Sequence, residues 1–415
     1  MKKLFRAFSN SLKVQETFAS IRHRNYKFWF GSQIVSLLGS WMQMTAQGYF
    51  IFELTHSPAF LGYVGFASGI PTWLFMIYAG VFADRYNRRN IIIFTQTVMM
   101  ILAFVLAFLT FAGIVQPWHI IALAFLLGIA NAIEAPARQA FVNELVPRED
   151  LFNAIALNST MFHSGAAIGP ALAGITYALF GPAWCFTINA ISFIPVIYTL
   201  LMMKLDVIPP KPTGRSAFKD MLIGFQYLRG QKLIILLMLT IGMSSMFGIG
   251  MMTIIPAWAV KILHGDASTN GMLQASRGLG AVVCSLVIAS QSRKIKKGPY
   301  LFYGLLTLAF FMFLFSFNST YIISCILLFG VGVGLIGINN LSNSLTQSII
   351  SEEFRGRIMG IYSFSFFALM PLGALWIGMI AEHFGPPIAV LSNAVILFVF
   401  AAIIWFKYPK LRTID

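Results

Sequence analysis

The stretch Gly80-Val-Phe-Ala-Asp84-Arg85-Tyr-Asn87-Arg88-Arg89 sets four charges between two long apolar runs, Phe60 to Val81 and Ile91 to Ile114. Each run is long enough to cross a bilayer core, about 20 residues, and lipid accommodates none of the charges between them. The stretch therefore reads as a tight turn joining two membrane helices. Asp84 ends the first helix, where free carbonyls already concentrate negative charge, so its carboxylate is expected to find compensation elsewhere. Asn87 stands where a sharp turn wants positive φ, which asparagine tolerates best after glycine.

Working outward, the chain of 415 residues is 58% hydrophobic and 10% charged, far from the balance of a soluble domain. Twelve apolar runs begin near Phe28, Phe60, Ile91, Trp118, Phe152, Trp184, Leu233, Thr269, Tyr300, Tyr321, Arg357 and Pro387. The expectation is an all-α integral membrane protein of twelve transmembrane helices. The net charge of +15 does not point to nucleic acid, because all Lys and Arg except Lys261 and Arg277 fall in alternate loops or at the span ends beside them. That bias puts both termini in the cytoplasm. Met1 to Lys27 lacks the apolar core of a cleaved leader. Cys185, Cys284 and Cys325 lie in apolar runs without metal-ligand spacing and read as small buried hydrophobes; no metal or cofactor is expected.

Residues 204–232 form the one long polar segment, with Pro209, Pro210, Pro212 and Gly214, and divide the chain into bundles of six helices, 1–203 and 233–415. Phe218, Met221, Leu222, Phe225 and Leu228 recur at helical spacing within it, which predicts an amphipathic helix lying in the membrane interface. Phe18 and Ile21, flanked by Arg22 and Arg24, have the same character before the first span. A shift of about 204 residues lays Gly169 on Gly373, Gly174 on Gly378 and Glu149 on Glu353, the pattern of a parallel repeat. The second copy of the turn, from Ser290, keeps basic residues and has lost the acid.

Polar residues inside the spans locate the candidate site. Gln33, Ser36, Ser40, Gln43 and Gln47 make one stripe along the first span, suited either to interhelical hydrogen bonding or to lining a cavity. The corresponding positions of the seventh span, Thr240, Ser244, Phe247 and Met251, are softer and more apolar, so an amphipathic organic molecule fits better than a sugar. Asn131, Glu134 and Arg138 share a stripe of the fourth span, answered by Asn339, Asn343 and Gln347 in the tenth. Glu134 and Arg138, four apart, suit either an internal ion pair or an inner vestibule. His163 and Arg277 stand isolated near mid-membrane; the guanidinium cannot neutralise itself and must find an anion or a polar cavity. Gly165, Gly169, Pro170 and Gly174 allow close helix packing and a bend in the fifth span.

The opening stretch, with Gly80, Asp84, Arg85, Arg88 and Arg89 in register, resembles the signature Gly-x-x-x-Asp-Arg-x-Gly-Arg-Arg between helices 2 and 3 of the major facilitator superfamily, departing only at Asn87. The run Gly165 to Gly174 resembles the helix 5 motif of its drug and metabolite antiporters, with Ala173 for one glycine. Pro136-Ala-Arg-Gln-Ala, Leu145-Val-Pro and Asn153 to Asn158 resemble the bacterial efflux branch that includes the enterobactin exporter. The resemblance implies two pseudo-symmetric six-helix bundles and a monomeric secondary transporter of the bacterial inner membrane. Such a protein exports amphipathic small molecules by alternating access, with the proton gradient as energy source and Glu134 or His163 as proton carrier. It also implies that Asp84 reaches the start of helix 11 while the cytoplasmic side is closed. An importer or facilitator of the same fold is the first alternative. A non-transporting receptor or lipid-acting membrane enzyme is the second, though the sequence shows neither a nucleotide-binding motif nor a catalytic cluster.

Overall fold

The structure, a computed structural model, describes residues 18–203, 217–291 and 297–409. Its long helices are α1 (Arg24–Thr55), α2 (Pro58–Arg85), α3 (Arg88–Phe111), α4 (Pro117–Leu145), α5 (Leu151–Phe180), α6 (Pro182–Met202), α7 (Lys232–Lys261), α8 (Ala267–Gln291), α9 (Lys297–Ser316), α10 (Tyr321–Ile349), α11 (Arg355–Phe384) and α12 (Pro386–Lys407). Among the described residues nine of them, α3, α4 and α6 to α12, are long and apolar enough to cross a membrane. Each helix begins within a few residues of the start its apolar run predicts. Proline opens α2, α4, α6 and α12, at the position where a missing N–H costs nothing and a fixed φ favours the first turn.

The Asp84–Asn87 corner differs from expectation at Asn87. Its φ is −61°, and its side chain accepts a hydrogen bond from Arg89 N as the N-cap of α3. A cap satisfies one of the free N–H groups of the first turn, which is why asparagine serves here without the left-handed conformation.

The repeat extends to element boundaries. α4 and α10 both span 29 residues, α5 and α11 both span 30, and the corners after α5 and α11 are glycines, Gly181 and Gly385, each with φ of +85°. Only glycine adopts that conformation without strain. Packing repeats too: α2 lies on α4 as α8 lies on α10, α3 on α6 as α9 on α12, and α1 on α5 as α7 on α11. The equivalent of the basic corner, residues 292–296, lies outside the described residues.

Two ends of the molecule are distinguished by charge. The basic end gathers Arg22, Arg24, Arg85, Arg88, Arg89, Arg138, Arg355 and Arg357; the far end carries Glu53, Lys261, Asp266 and Glu382. At the basic end the chain start is tied to α5. Ser20 N donates to Asn153, His23 pairs with Asp150 at 2.7 Å, and Tyr26 donates to the Ala154 carbonyl. The expected amphipathic helix forms at Ala217–Leu228 and docks on α11, with Leu228 buried, Tyr227 stacked on Phe354 at 4.5 Å and Gly224 beside Ile361. Leu222 and Phe225 stay exposed, as residues facing an interface do. Phe218 and Met221 carry side chains outside the described set.

Candidate substrate opening and gates

The first half, α1 to α6, and the second, α7 to α12, meet mainly along two pairs, α2 with α11 and α5 with α8. Both seams are built from small residues, because helices in lipid associate by close backbone packing. A Cβ on Gly62 would stand 2.9 Å from the Ala374 carbonyl oxygen, and one on Gly69 would overlap Pro371. On the other seam Gly174 faces Ala267 and Gly271, and Gly278 lies against the backbone of Ala166 and Ala167. The far end adds polar ties: Glu382 of α11 accepts from Ser57 Oγ at 2.7 Å and from Ala59 N at 3.2 Å, capping the start of α2. A hydrophobic cluster there joins Phe50, Tyr177 and Phe186 to Ala257 and Ala267.

Among the described residues, every hydrogen bond and glycine approach joining these pairs falls on the far side of Gly69 and Gly278. At the basic end, Gly356 and Gly360 of α11 face open space. Ser159 and Thr160 of α5, and Asn131 of α4, are exposed. The described contacts between the halves close the far end, and the exposed polar residues mark an opening toward the basic end, where the helix Ala217–Leu228 touches both α2 and α11.

The predicted site residues distribute unevenly around this opening. Gln33, Ser36, Gln43 and Gln47 are buried, while Ser40 is half-buried and donates to the Ser36 carbonyl. Gln43 Oε1 accepts from Asn189 of α6 at 2.7 Å, so this part of the stripe joins helices. Gln33 Nε2 is buried without a partner. Thr240 and Ser244 are buried and donate to carbonyls of their own helix, and Met251 lies in the core of the second half. Asn339 and Asn343 are half-buried, and Asn343 accepts from Gln347.

Glu134 is 2% exposed. It accepts from Thr95 Oγ1 at 3.0 Å and from Gln96 Nε2 at 2.9 Å, with Arg138 Nη1 at 3.6 Å. It faces α3 within the first half. Gly165 and Gly169 pack against Trp41, Leu37 and Leu38 of α1, whereas Pro170 and Gly174 meet α8, so the helix 5 motif serves two contacts. In the corner motif Arg88 pairs with Glu144 at 2.6 Å, Arg89 donates to the Leu201 carbonyl at the end of α6, and Arg85 is exposed. Gly80 and Asp84 lie in α2, with side-chain placement outside the described set.

Three features escaped the sequence reading. Asn270 and Gln274 of α8 share the face of Arg277 and continue its polar stripe toward the far end. The Glu382 cap had no signal beyond an acid near a helix end. Within α7 the helix breaks into a π turn, Ser244–Ile249, and a 3-10 turn, Gly250–Ile254. Asn393 of α12 donates to the Phe247 carbonyl at 2.9 Å and accepts from Trp376 at 3.2 Å, holding the break. Gly242, Gly248 and Gly250 were the available clue.

Comparison with known proteins agrees with this geometry. Residues 15–415 match the family of transmembrane secretion effectors within the major facilitator superfamily. The staphyloferrin A transporter of Staphylococcus aureus is 25% identical over 366 residues, 86% of this chain and 90% of that protein. An enterobactin exporter of Citrobacter koseri is 26% identical over 353 residues, 82% and 81% of the two chains. Among solved structures, an inward-facing, unoccupied bacterial homologue of the human lysosomal transporter Spinster aligns with a TM-score of 0.72 at 14% identity, over 91% of this chain and 96% of that one. A D-xylose-proton symporter aligns with a TM-score of 0.72 at 14% identity, over 95% and 98%. The chain is a multi-pass membrane transporter, not an enzyme, and belongs to the transmembrane secretion effector family of the major facilitator superfamily.

Proposed function

We propose that this transporter is a secondary active exporter of the bacterial inner membrane, moving an amphipathic small molecule of the siderophore kind outward in exchange for protons. All twelve long helices cross the membrane in this reading, as two bundles, 1–203 and 233–415, joined by the linker 204–232. Both termini lie in the cytoplasm by the positive-inside bias, and the monomer is the working unit. The observation that carries the proposal is the pair of small-residue seams that join the halves at the far end, with exposed polar residues of α4 and α5 toward the basic end. Two rigid halves meeting along only such seams rock about a site between them. The similarity to a siderophore transporter and a siderophore exporter supports the substrate class. Glu134, the one buried acid among the described residues, is the proton carrier, with His163 the second choice.

The test is reconstitution of the full chain in proteoliposomes under an imposed pH gradient, with enterobactin and staphyloferrin A supplied in turn. Export predicts movement of one of them against the direction of proton flow. Movement in the direction of proton flow makes the protein an importer, and movement without proton flow makes it a facilitator.

A further inference from the structure

Asn270, Gln274 and Arg277 follow one another along a single face of α8, at the i, i+4, i+7 spacing that aligns side chains on a helix. The first two are buried and bonded to each other at 3.2 Å. Arg277 has no hydrogen bond or ion pair among the described residues, and its Nε is buried without a partner. Its side chain is half-buried, with the Nε inside the protein. Just beside it Gly278 seals against Ala166 and Ala167, so the guanidinium stands where the α5–α8 seam gives way to the open side. His163 of α5 is within its electrostatic reach.

An arginine at this depth needs an anion, and the acids in the body of the molecule are engaged. Glu134 is held by Thr95 and Gln96, Glu53 by Tyr177, and Glu382 by Ser57. Lys261, the other cation within the long helices away from the basic end, lies over the Phe52 ring at the far end. One guanidinium in the body of the molecule therefore stands without a protein anion among the described residues. It balances a single negative charge and offers a planar fork that matches a carboxylate, whereas a phosphate dianion leaves a charge uncompensated in a low dielectric.

We infer that Arg277, flanked by Gln274 and His163, binds one carboxylate of the transported molecule, which makes the substrate an organic acid. The inference rests on the transporter reading and narrows its substrate.

The experiment uses the full chain in lipid nanodiscs, titrated calorimetrically with citrate and with its uncharged triethyl ester. Citrate binds and the ester does not. Arg277→Met weakens citrate at least 50-fold, and Arg277→Lys, which keeps charge without the fork, weakens it about tenfold. Equal citrate binding by Arg277→Met, equal binding of the ester, or no citrate binding by the unmodified protein overturns the inference. If Arg277→Met does not fold, the Lys variant decides alone, and citrate affinity equal to that of the unmodified protein counts against the site. Citrate binding without substrate-driven proton flux in liposomes defeats the exporter reading instead and leaves the carboxylate site standing.

Discussion

A carboxylate deep in a membrane protein persists only where donors surround it, and Glu134 has Thr95, Gln96 and Arg138. The arrangement suits a group that exchanges a proton: neutralising Glu134 frees Arg138, which is partly exposed toward the basic end. Glu134→Gln keeps the shape and most of the bonding, so it costs about 1–2 kcal/mol of stability. Gradient-driven transport is lost in that variant, while substrate binding changes by no more than about twofold. Proton-gradient-driven uptake and equilibrium binding, measured on the same preparation, check this; undiminished uptake moves the coupling to His163. The same residue shows how far a sequence speaks at this scale. Spacing alone places Glu134 and Arg138 on one stripe and offers an ion pair as one of two readings, and the structure shows the pair at 3.6 Å. Spacing does not say whether the stripe meets α3 or the opening, because that depends on a helix 38 residues away in the chain. The α1 stripe has the same ambiguity, and Gln43 resolves it toward Asn189.

Helices read more easily than their neighbours. Twelve apolar runs give the twelve starts, and the offset between halves reappears in the Gly181 and Gly385 corners. The break in α7 is harder, since a π turn changes hydrogen-bond partners without changing apolar periodicity. Its carbonyl at Phe247 accepts from Asn393, and in lipid no water replaces that bond. Asn393→Leu leaves this carbonyl and Trp376 Nε1 without their partner, and destabilises the protein by about 2 kcal/mol. Thermal melting in detergent reads the loss, and an unshifted melt shows that Asn393 does not hold the break. A different device operates at the α5–α8 seam, where Gly278 admits no side chain against Ala166. Gly278→Val forces the two helices apart at the far end without touching the basic end. Accessibility of far-end cysteine substitutions to a membrane-impermeant thiol reagent rises in that variant; unchanged labelling means that the seam yields elsewhere.

At the scale of the whole molecule, α2 and α11 carry an acid at opposite ends of one seam. Glu382, on α11 at the far end, caps the start of α2 in the observed conformation. Asp84, on α2 at the basic end, is expected from the resemblance of its corner to reach the start of α11 in the opposite conformation; Gly356 and Gly360 there face open space. The expected contact, like the observed one, pairs a carboxylate with the positive end of the other half's helix, and the two cannot form together if the halves rock as rigid bodies. The seam is then a two-position balance with one clamp for each position. Glu382→Gln removes the charge from a partly hydrated contact, which shifts the balance toward the far-open state by about 1 kcal/mol, roughly fivefold in population. Asp84→Asn shifts it the other way by about 1–3 kcal/mol. The sites lie a membrane thickness apart and share no partner, so their effects add, and the double variant returns most of the way to the original distribution. Spin-label distances across the basic ends of α2 and α11 measure all four proteins. A double variant that matches either single variant shows that the clamps do not oppose each other, and the balance between the two ends fails.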